Sequence, residues 1–176
     1  WQAGQGQQAL PHALRAARQE KQRSALSSAA FYYDICCRVR PEAQITLEYA
    51  KVLRLLGRNS EALDWLERVL QLPEVDPLRA EIHLWAGQIH RNLGQYAQAY
   101  EFAQRAWLHL VRLPIGRARE LCPALLTLSL ETCHEDLGAL ALFRLLGPRL
   151  PWLLRYARTD CVLHADLTIG VGMSLP

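Results

Sequence analysis

His83 and His90 are the residues whose type and spacing come nearest to a metal site. They lie seven positions apart, which is about two turns of a helix, so they could share one face. Zinc sites on a helix prefer histidines three or four positions apart, together with further ligands. We therefore predict that both histidines pack between helices and that the chain holds no metal ion.

Cys133 and His134 could form a thiolate–imidazole pair, the arrangement that activates a cysteine nucleophile. Adjacent side chains rarely face one another, and this pair falls at a predicted turn. Catalysis would also need an orienting group and an oxyanion site, and the sequence reveals neither. We therefore predict no catalytic residues and no enzymatic activity.

The stretch "GQGQQA", residues 4–9, has the letters of a dinucleotide-binding GxGxxA motif. That chemistry needs a strand before the glycines, which aims a helix N-terminus at the pyrophosphate. Only Trp1, Gln2 and Ala3 precede Gly4 in this sequence, and they show no strand pattern. We predict a flexible or helical leader over 1–9 and no cofactor.

Composition limits the remaining function classes. The chain has 176 residues, of which 51% are apolar and 21% charged, as expected for folded helices separated by short turns. The net charge of +3 comes without a dense Lys/Arg run, which argues against direct nucleic-acid binding. No apolar stretch approaches the length of a membrane-spanning helix.

The cysteines indicate a reducing compartment. Five are present, an odd number, and their spacing matches no disulfide framework. Cys36 and Cys37 are adjacent, and neighbours on a helix point about 100° apart, which is a poor disulfide geometry. We predict reduced thiols, most of them buried, in a cytoplasmic protein.

A small residue recurs five positions after each of four predicted turns, with offsets of 33, 37 and 40 residues between its copies. A second set of positions agrees with this frame and is predicted to pack between helices: four residues after each copy stand Tyr33, Leu66, Ala103 and Phe143. Periods in this range indicate stacked helix–turn–helix units, and the small residue predicts a close crossing of two helices. The recurring alanines are Ala29, Ala62, Ala99 and Ala139, and the small residues twelve positions before them are Ala17, Ala50, Gly87 and Thr127.

In this frame the chain resembles the tetratricopeptide repeat (TPR) family. The stretch "AEIHLWAGQIHRNLGQYAQAYEFAQRAW" carries the family's small Gly87, turn Gly94, aromatic Tyr96 and alanines Ala99 and Ala106. The family's tryptophan position departs from the pattern, since it holds Ala13, Thr46, His83 and Pro123 in the four units. The resemblance implies an all-α, right-handed superhelix of antiparallel helical hairpins, with units over 10–42, 43–79, 80–119 and 120–153. The repeat domain would span 10–158, and 159–176 would hold the end of a capping helix and an extended tail or the start of another domain.

The resemblance also implies a ligand groove, lined in the family by the first helix of each unit. Its positions in this sequence form an apolar row beside a basic row, which suits an amphipathic segment with carboxylates along one edge. Gln22 and Gln44 fall at two further groove positions. The groove residues that we predict are Leu14, Arg18, Lys21, Leu47, Lys51, Arg54, Leu84, Gln88, Arg91, Asn92 and Leu128.

The expected function is a protein–protein interaction scaffold that binds a peptide or a partner helix. The chain opens at Trp1 and its single methionine is Met173, so we expect an excerpt of a longer protein. Two alternatives stay open. One is a sensor or regulatory segment of a bacterial multidomain transcription activator, suggested by "ALFRLLGPRLPWLLRYAR". The other is a periplasmic repeat segment that precedes an outer-membrane β-barrel, with "DLTIGVGMSLP" as a first strand.

Overall fold

A computed structural model describes residues 3–72, 74–133 and 138–157. These ranges contain helices and turns and no β-strand. Short 3-10 turns at Asp76–Leu78 and Gly147–Arg149 precede two of the helices. The α-helices are α1 (Ala3–Gln22), α2 (Leu26–Val39), α3 (Ala43–Leu55), α4 (Asn59–Leu70), α5 (Arg79–Asn92), α6 (Tyr96–Leu110), α7 (Ile115–Thr132), α8 (Gly138–Leu146) and α9 (Leu150–Ala157).

The turns that join α1 to α2, α3 to α4 and α5 to α6 share one hydrogen-bonded form. After α3, Gly57 has a φ of 77°, and the N–H of Arg58 donates to the carbonyl oxygen of Leu53 at 2.9 Å. Gly94, with a φ of 72°, sits in the same pattern, and so does Ser24, with a φ of 61°. This left-handed cap satisfies the last carbonyls of the first helix and reverses the chain at once. Residues close together in the sequence therefore determine these three hairpins.

The chain forms two compact units, Trp1–Ile82 and His83–Pro176, with the boundary inside α5. In the first unit α1 packs on α2, α2 on α3 and α3 on α4. The predicted crossing residues lie at these contacts, since Ala29 and Ala62 are 0% exposed and Ala17 is equally buried. Larger core side chains surround them, namely Tyr33, Cys36, Leu47, Val52, Leu53, Leu66 and Val69.

In the second unit, α5, α6 and α7 meet around Gly87. A methyl group built there would lie 2.7 Å from Leu128 Cδ2 and 3.4 Å from the carbonyl oxygen of Ala99. Ala99 itself is 0% exposed, as the small-residue pattern predicts. The interior of this unit consists mainly of Trp107, Leu110, Leu125, Leu128, Leu145 and Leu153.

The predicted frame of the last hairpin is wrong. Ala139 and Thr127 are exposed, and Phe143, expected at a packing position, is 72% exposed. Among the described residues here, Gly138 has a left-handed φ of 72°, four positions after the predicted turn residue His134, and α8 begins there, later than the pattern places it. Leu145 takes the buried position instead. His134 itself lies outside the described residues.

The predicted leader is helical from Ala3, because α1 begins there, and "GQGQQA" lies within that helix. The capping helix is α9, and the predicted tail over 159–176 lies outside the described residues. The predicted unit boundaries and the right-handed superhelical twist stay predictions.

Candidate functional site

The candidate site is a cleft of about 440 Å³ in the first unit. It lies between α1 and α3, and Tyr33 of α2 contributes to its lining. Three predicted groove residues, Leu14, Arg18 and Lys21, meet here. The full lining is Leu14, Arg18, Lys21, Gln22, Tyr33, Gln44, Ile45 and Glu48.

Four charged side chains cross the first unit as a continuous ion-pair chain, Lys21–Glu48–Lys51–Glu81. Glu48 accepts from Lys21 through Oε2, and its Oε1 lies 2.7 Å from Lys51 Nζ. Lys51 Nζ also donates to Glu81 Oε1 at 2.6 Å. The exposed fraction of the side chains falls along this ion-pair chain, from 31% at Lys21 to 8% at Glu81. This ion-pair chain joins α1, α3 and α5. It neutralises two of the predicted basic residues, Lys21 and Lys51.

The protonation state of Glu48 follows from this environment. Burial raises the pKa of its carboxyl group, but hydrogen bonds from Lys21 and Lys51 outweigh burial and hold the pKa below its usual value. Glu48 is therefore a carboxylate at neutral pH. The alternating charges of the ion-pair chain stabilise one another, since Glu48 and Lys51 each have an oppositely charged partner on both sides.

Arg18 is the exposed cation of the cleft. It forms no ion pair or hydrogen bond with any residue that the structure describes. Its charge reaches Tyr33: burial and Glu48 raise the pKa of that phenol, Arg18 lowers it, and the result is about 12. The Tyr33 hydroxyl thus stays protonated at neutral pH, and the guanidinium of Arg18 is available to an anion from solvent.

The predicted apolar row is not a solvent-facing surface. Leu47 is 0% exposed, Leu84 3% and Leu128 1%, so these leucines belong to the core in this conformation. For Leu128 the reason is visible, since its side chain covers the backbone of Gly87. Leu14 alone of the four predicted leucines keeps partial exposure and lines the cleft.

The other predicted groove residues divide between the two units. Arg54 is half-buried in the first unit, and Gln88 is half-buried in the second. Arg91 pairs with Glu131 of α7 and donates to the side-chain oxygen of Asn92 at 2.8 Å.

Three residues that line the cleft were not predicted as groove residues from the sequence: Tyr33, Ile45 and Glu48. Glu48 carried a signal, because it lies three positions before Lys51, a spacing at which opposite charges meet on a helix. Its contact with Lys21, 27 positions away, depends on how α1 and α3 lie together, which spacing along one helix does not reveal.

A second cleft, of about 520 Å³, lies between α6 and α8 in the second unit. Its lining mixes small, polar and oppositely charged residues, and the hydroxyl of Tyr100 donates to the carbonyl oxygen of Ala141 across it at 3.3 Å. The remaining lining residues are Ala97, Glu101, Gln104, Leu140 and Arg144.

The residues whose spacing suggested metal binding pack against rings. His83 stacks on His109 with ring centroids 5.5 Å apart, and His90 stacks on Phe102 at 5.0 Å. His90 Nδ1 also lies 2.6 Å from Gln95 Oε1. Within the described ranges no group of three or more His, Cys, Asp or Glu side chains could hold a metal ion.

The thiols that the structure describes are free and buried. They are Cys36, Cys37, Cys122 and Cys133, and Cys161 lies outside the described residues. Burial raises the pKa of Cys133 to about 11 and that of Cys122 to about 12. A thiol in this state is a poor nucleophile. His134, the other member of the thiolate–imidazole pair considered above, lies outside the described residues.

Among the helices described, none combines the length and the apolar character that a bilayer crossing requires.

Comparison with known proteins bears on the fold. No protein-family model matches the chain, and no curated protein matches it. Among solved structures it is similar to the crystal structure of MamA protein, with a TM-score of 0.52 and 13% sequence identity. The match covers 90% of this chain and 93% of that one. Together with the helical hairpins described above, this likeness shows the fold class: an all-α, TPR-like solenoid.

Proposed function

We propose that this chain is a protein-interaction module, and that the cleft between α1 and α3 binds a segment of a partner protein through a carboxylate. The observation that carries the proposal is Arg18, an exposed guanidinium in a cleft, with no ion partner among the described residues. A guanidinium binds a carboxylate through two parallel hydrogen bonds, which fixes the orientation of the bound group.

The rest of the lining supports a peptide as the ligand. Gln22 and Gln44 offer amide donors and acceptors that can bind a peptide backbone. Leu14, Ile45 and the ring of Tyr33 add apolar contact beside Arg18. A cleft of about 440 Å³ falls in the size range of ligand sites, and repeat proteins use such surfaces between stacked helices for extended partners. The carboxylate would come from an Asp or Glu side chain or from a chain terminus.

The proposed mode of action is binding without catalysis. The thiols described have raised pKa values, and His83 and His90 pack against aromatic rings. Free thiols at Cys36, Cys37, Cys122 and Cys133 favour a reducing compartment such as the cytoplasm. The partner would be a protein or peptide with at least one acidic group.

The test begins with a probe. A phage-displayed library of random dodecapeptides is selected on the immobilised protein, and enriched peptides are synthesised with a fluorescent label for anisotropy titrations. Arg18→Glu should weaken their binding at least about tenfold, because it replaces the attractive charge by a repulsive one. Affinity for the unmodified protein should also fall as salt rises, because added ions screen the exposed pair.

Arg15→Glu is the matched control. Arg15 lies on the same helix, is exposed, and does not line the cleft, so the charge change is identical while the position differs. It should change affinity less than about twofold. Circular dichroism confirms that both variants stay folded. If no peptide is enriched, or if Arg18→Glu binds as tightly as the unmodified protein, this cleft is not the site.

The remaining predicted groove residues are tested with the same peptides. Arg54→Glu, in the first unit, should weaken binding if the partner extends along α3 beyond the cleft, and an unchanged affinity would confine the site in this unit to the residues around Arg18. Arg91→Glu tests the second unit by itself.

A further inference from the structure

Among the described residues that line the cleft, Glu48 is the one with an acidic side chain, and both of its oxygens accept hydrogen bonds. Oε2 accepts from Lys21 of α1, and Oε1 accepts from Lys51 of α3, one turn along its own helix. Any carboxylate that arrived from a partner would meet these two ammonium groups already paired.

The pairing is sheltered from solvent. The side chain of Glu48 is 23% exposed, and that of Lys51 is 12% exposed. Salt screens such partly buried pairs less than pairs on the open surface. Lys51 is held on its other side by Glu81, whose side chain is 8% exposed. Displacing Glu48 would therefore leave a partly buried carboxylate without its partners, which is costly.

The formal charge of the lining follows directly. Arg18 and Lys21 contribute two positive charges and Glu48 one negative charge, so the lining carries one net positive charge. Without Glu48 the same lining would carry two, and Lys51 nearby would keep its pairing with Glu81. The charge of one residue thus decides whether the cleft suits one anionic group or several.

We propose that Glu48 sets the charge selectivity of the cleft: it neutralises Lys21 and Lys51 from within, so that the cleft takes segments with a single carboxylate at Arg18 and disfavours segments with clustered carboxylates. The inference rests on the proposed function, because it concerns the ligand class of the same cleft. Glu48 then competes with the acidic groups of a partner for the ammonium groups of Lys21 and Lys51.

A purely structural role for Glu48 would have a different effect on peptide affinities. If the ion-pair chain only holds α1 and α3 together, its loss lowers stability and changes the affinity for all peptides in proportion. A selectivity role changes the ratio of affinities between acidic and weakly acidic peptides. That ratio is the readout.

The experiment selects the same dodecapeptide library in parallel on the unmodified protein, on Glu48→Gln and on Glu67→Gln. Glutamine keeps the size of the side chain and removes its charge. Glu67 lies on α4, is exposed and is absent from the cleft, so its variant makes the same change in net charge elsewhere. Two synthetic peptides from the selections, one with a single acidic residue and one with four, are then titrated against each protein.

Glu48→Gln should enrich peptides with more Asp and Glu, and should raise the affinity ratio of the four-acid to the one-acid peptide about tenfold, equivalent to about 1.4 kcal/mol. Glu67→Gln should leave both measures within about twofold. A ratio that does not change in Glu48→Gln, while Arg18→Glu still weakens binding at least about tenfold, would overturn the selectivity role and leave the proposed function standing. Absence of any peptide that depends on Arg18 would overturn both.

Lys21→Gln supplies a second variant in case Glu48→Gln does not fold. It removes the ammonium that Glu48 holds from α1 and releases one side of the carboxylate into the cleft. The affinity ratio should then move in the opposite direction, toward the one-acid peptide. An unchanged or increased ratio in folded Lys21→Gln would contradict the inference.

Discussion

Leu128 of α7 lies over Gly87 of α5, so closely that a methyl group at Gly87 would come within 2.7 Å of Leu128 Cδ2. The small residue that the repeat pattern requires at position 87 is thus required by a specific side chain on another helix. Leu128 is 1% exposed and has little room to move aside.

Gly87→Ala should therefore destabilise the protein. Overpacking typically costs about 1–3 kcal/mol, which outweighs the gain of about 1 kcal/mol in helix propensity. In a Leu128→Ala background the same substitution should stabilise, because the clashing atoms are gone. Urea denaturation of the four proteins in this cycle measures the reversal of sign.

Gly116→Ala is the control for that cycle. Gly116 lies in α7, and no atom lies within 4 Å of a methyl group built there. This variant should gain up to about 1 kcal/mol from helix propensity alone. If Gly87→Ala stabilises the unmodified protein as much as Gly116→Ala does, the contact with Leu128 is looser than the structure shows.

Ala99→Leu should lower the free energy of unfolding by about 1–3 kcal/mol, because Ala99 is 0% exposed where α6 crosses α5. Ala139→Leu makes the same chemical change at an exposed position of α8 and should stay within about 0.5 kcal/mol. Thermal or urea unfolding distinguishes the two. Equal costs at both positions would mean that Ala139 is packed as tightly as the repeat pattern predicted.

Stability should fall in acid through Glu48. Its folded-state pKa is lowered, so its contribution is fully present above the usual carboxyl pKa of 4.5 and is lost as pH falls through the folded-state pKa. The difference in unfolding free energy between the unmodified protein and Glu48→Gln should therefore be largest near neutral pH and shrink below pH 4.5. Urea titrations across this range measure it, and a difference independent of pH would contradict the ion-pair chain.

The buried thiols should not react in the folded protein. Burial raises the pKa of Cys37 and Cys122 to about 12, so almost no thiolate exists at neutral pH, and the side chains are shielded from reagents. In a Cys161→Ser variant, which removes the thiol outside the described residues, DTNB should label nothing in the native state and four thiols in denaturant. Reductant should leave the melting temperature unchanged. Rapid native labelling would mean that a described cysteine is accessible.

The sequence by itself determined the helices and three of the turns. Gly57 and Gly94 favour the left-handed cap that closes a helix, and the spacing from each turn to Ala62 and Ala99 marks a helix crossing. These are local properties, because they depend on residues that are close together in the sequence. The same spacing failed at Ala139, which is exposed, because α8 begins only at Gly138 and the repeat spacing no longer applies.

Only the tertiary structure decided the character of the site. The sequence showed Lys21 and Lys51 as members of a basic row, but their charges are neutralised by Glu48, which lies on the same helix as Lys51 and across a helix contact from Lys21. It showed Leu47 and Leu84 as groove residues, but both are buried. Burial and ion pairing depend on which residues other helices bring near, and that information is distributed over positions far apart in the chain. Arg18, left without an ion partner among the described residues, emerges only after those pairings are known.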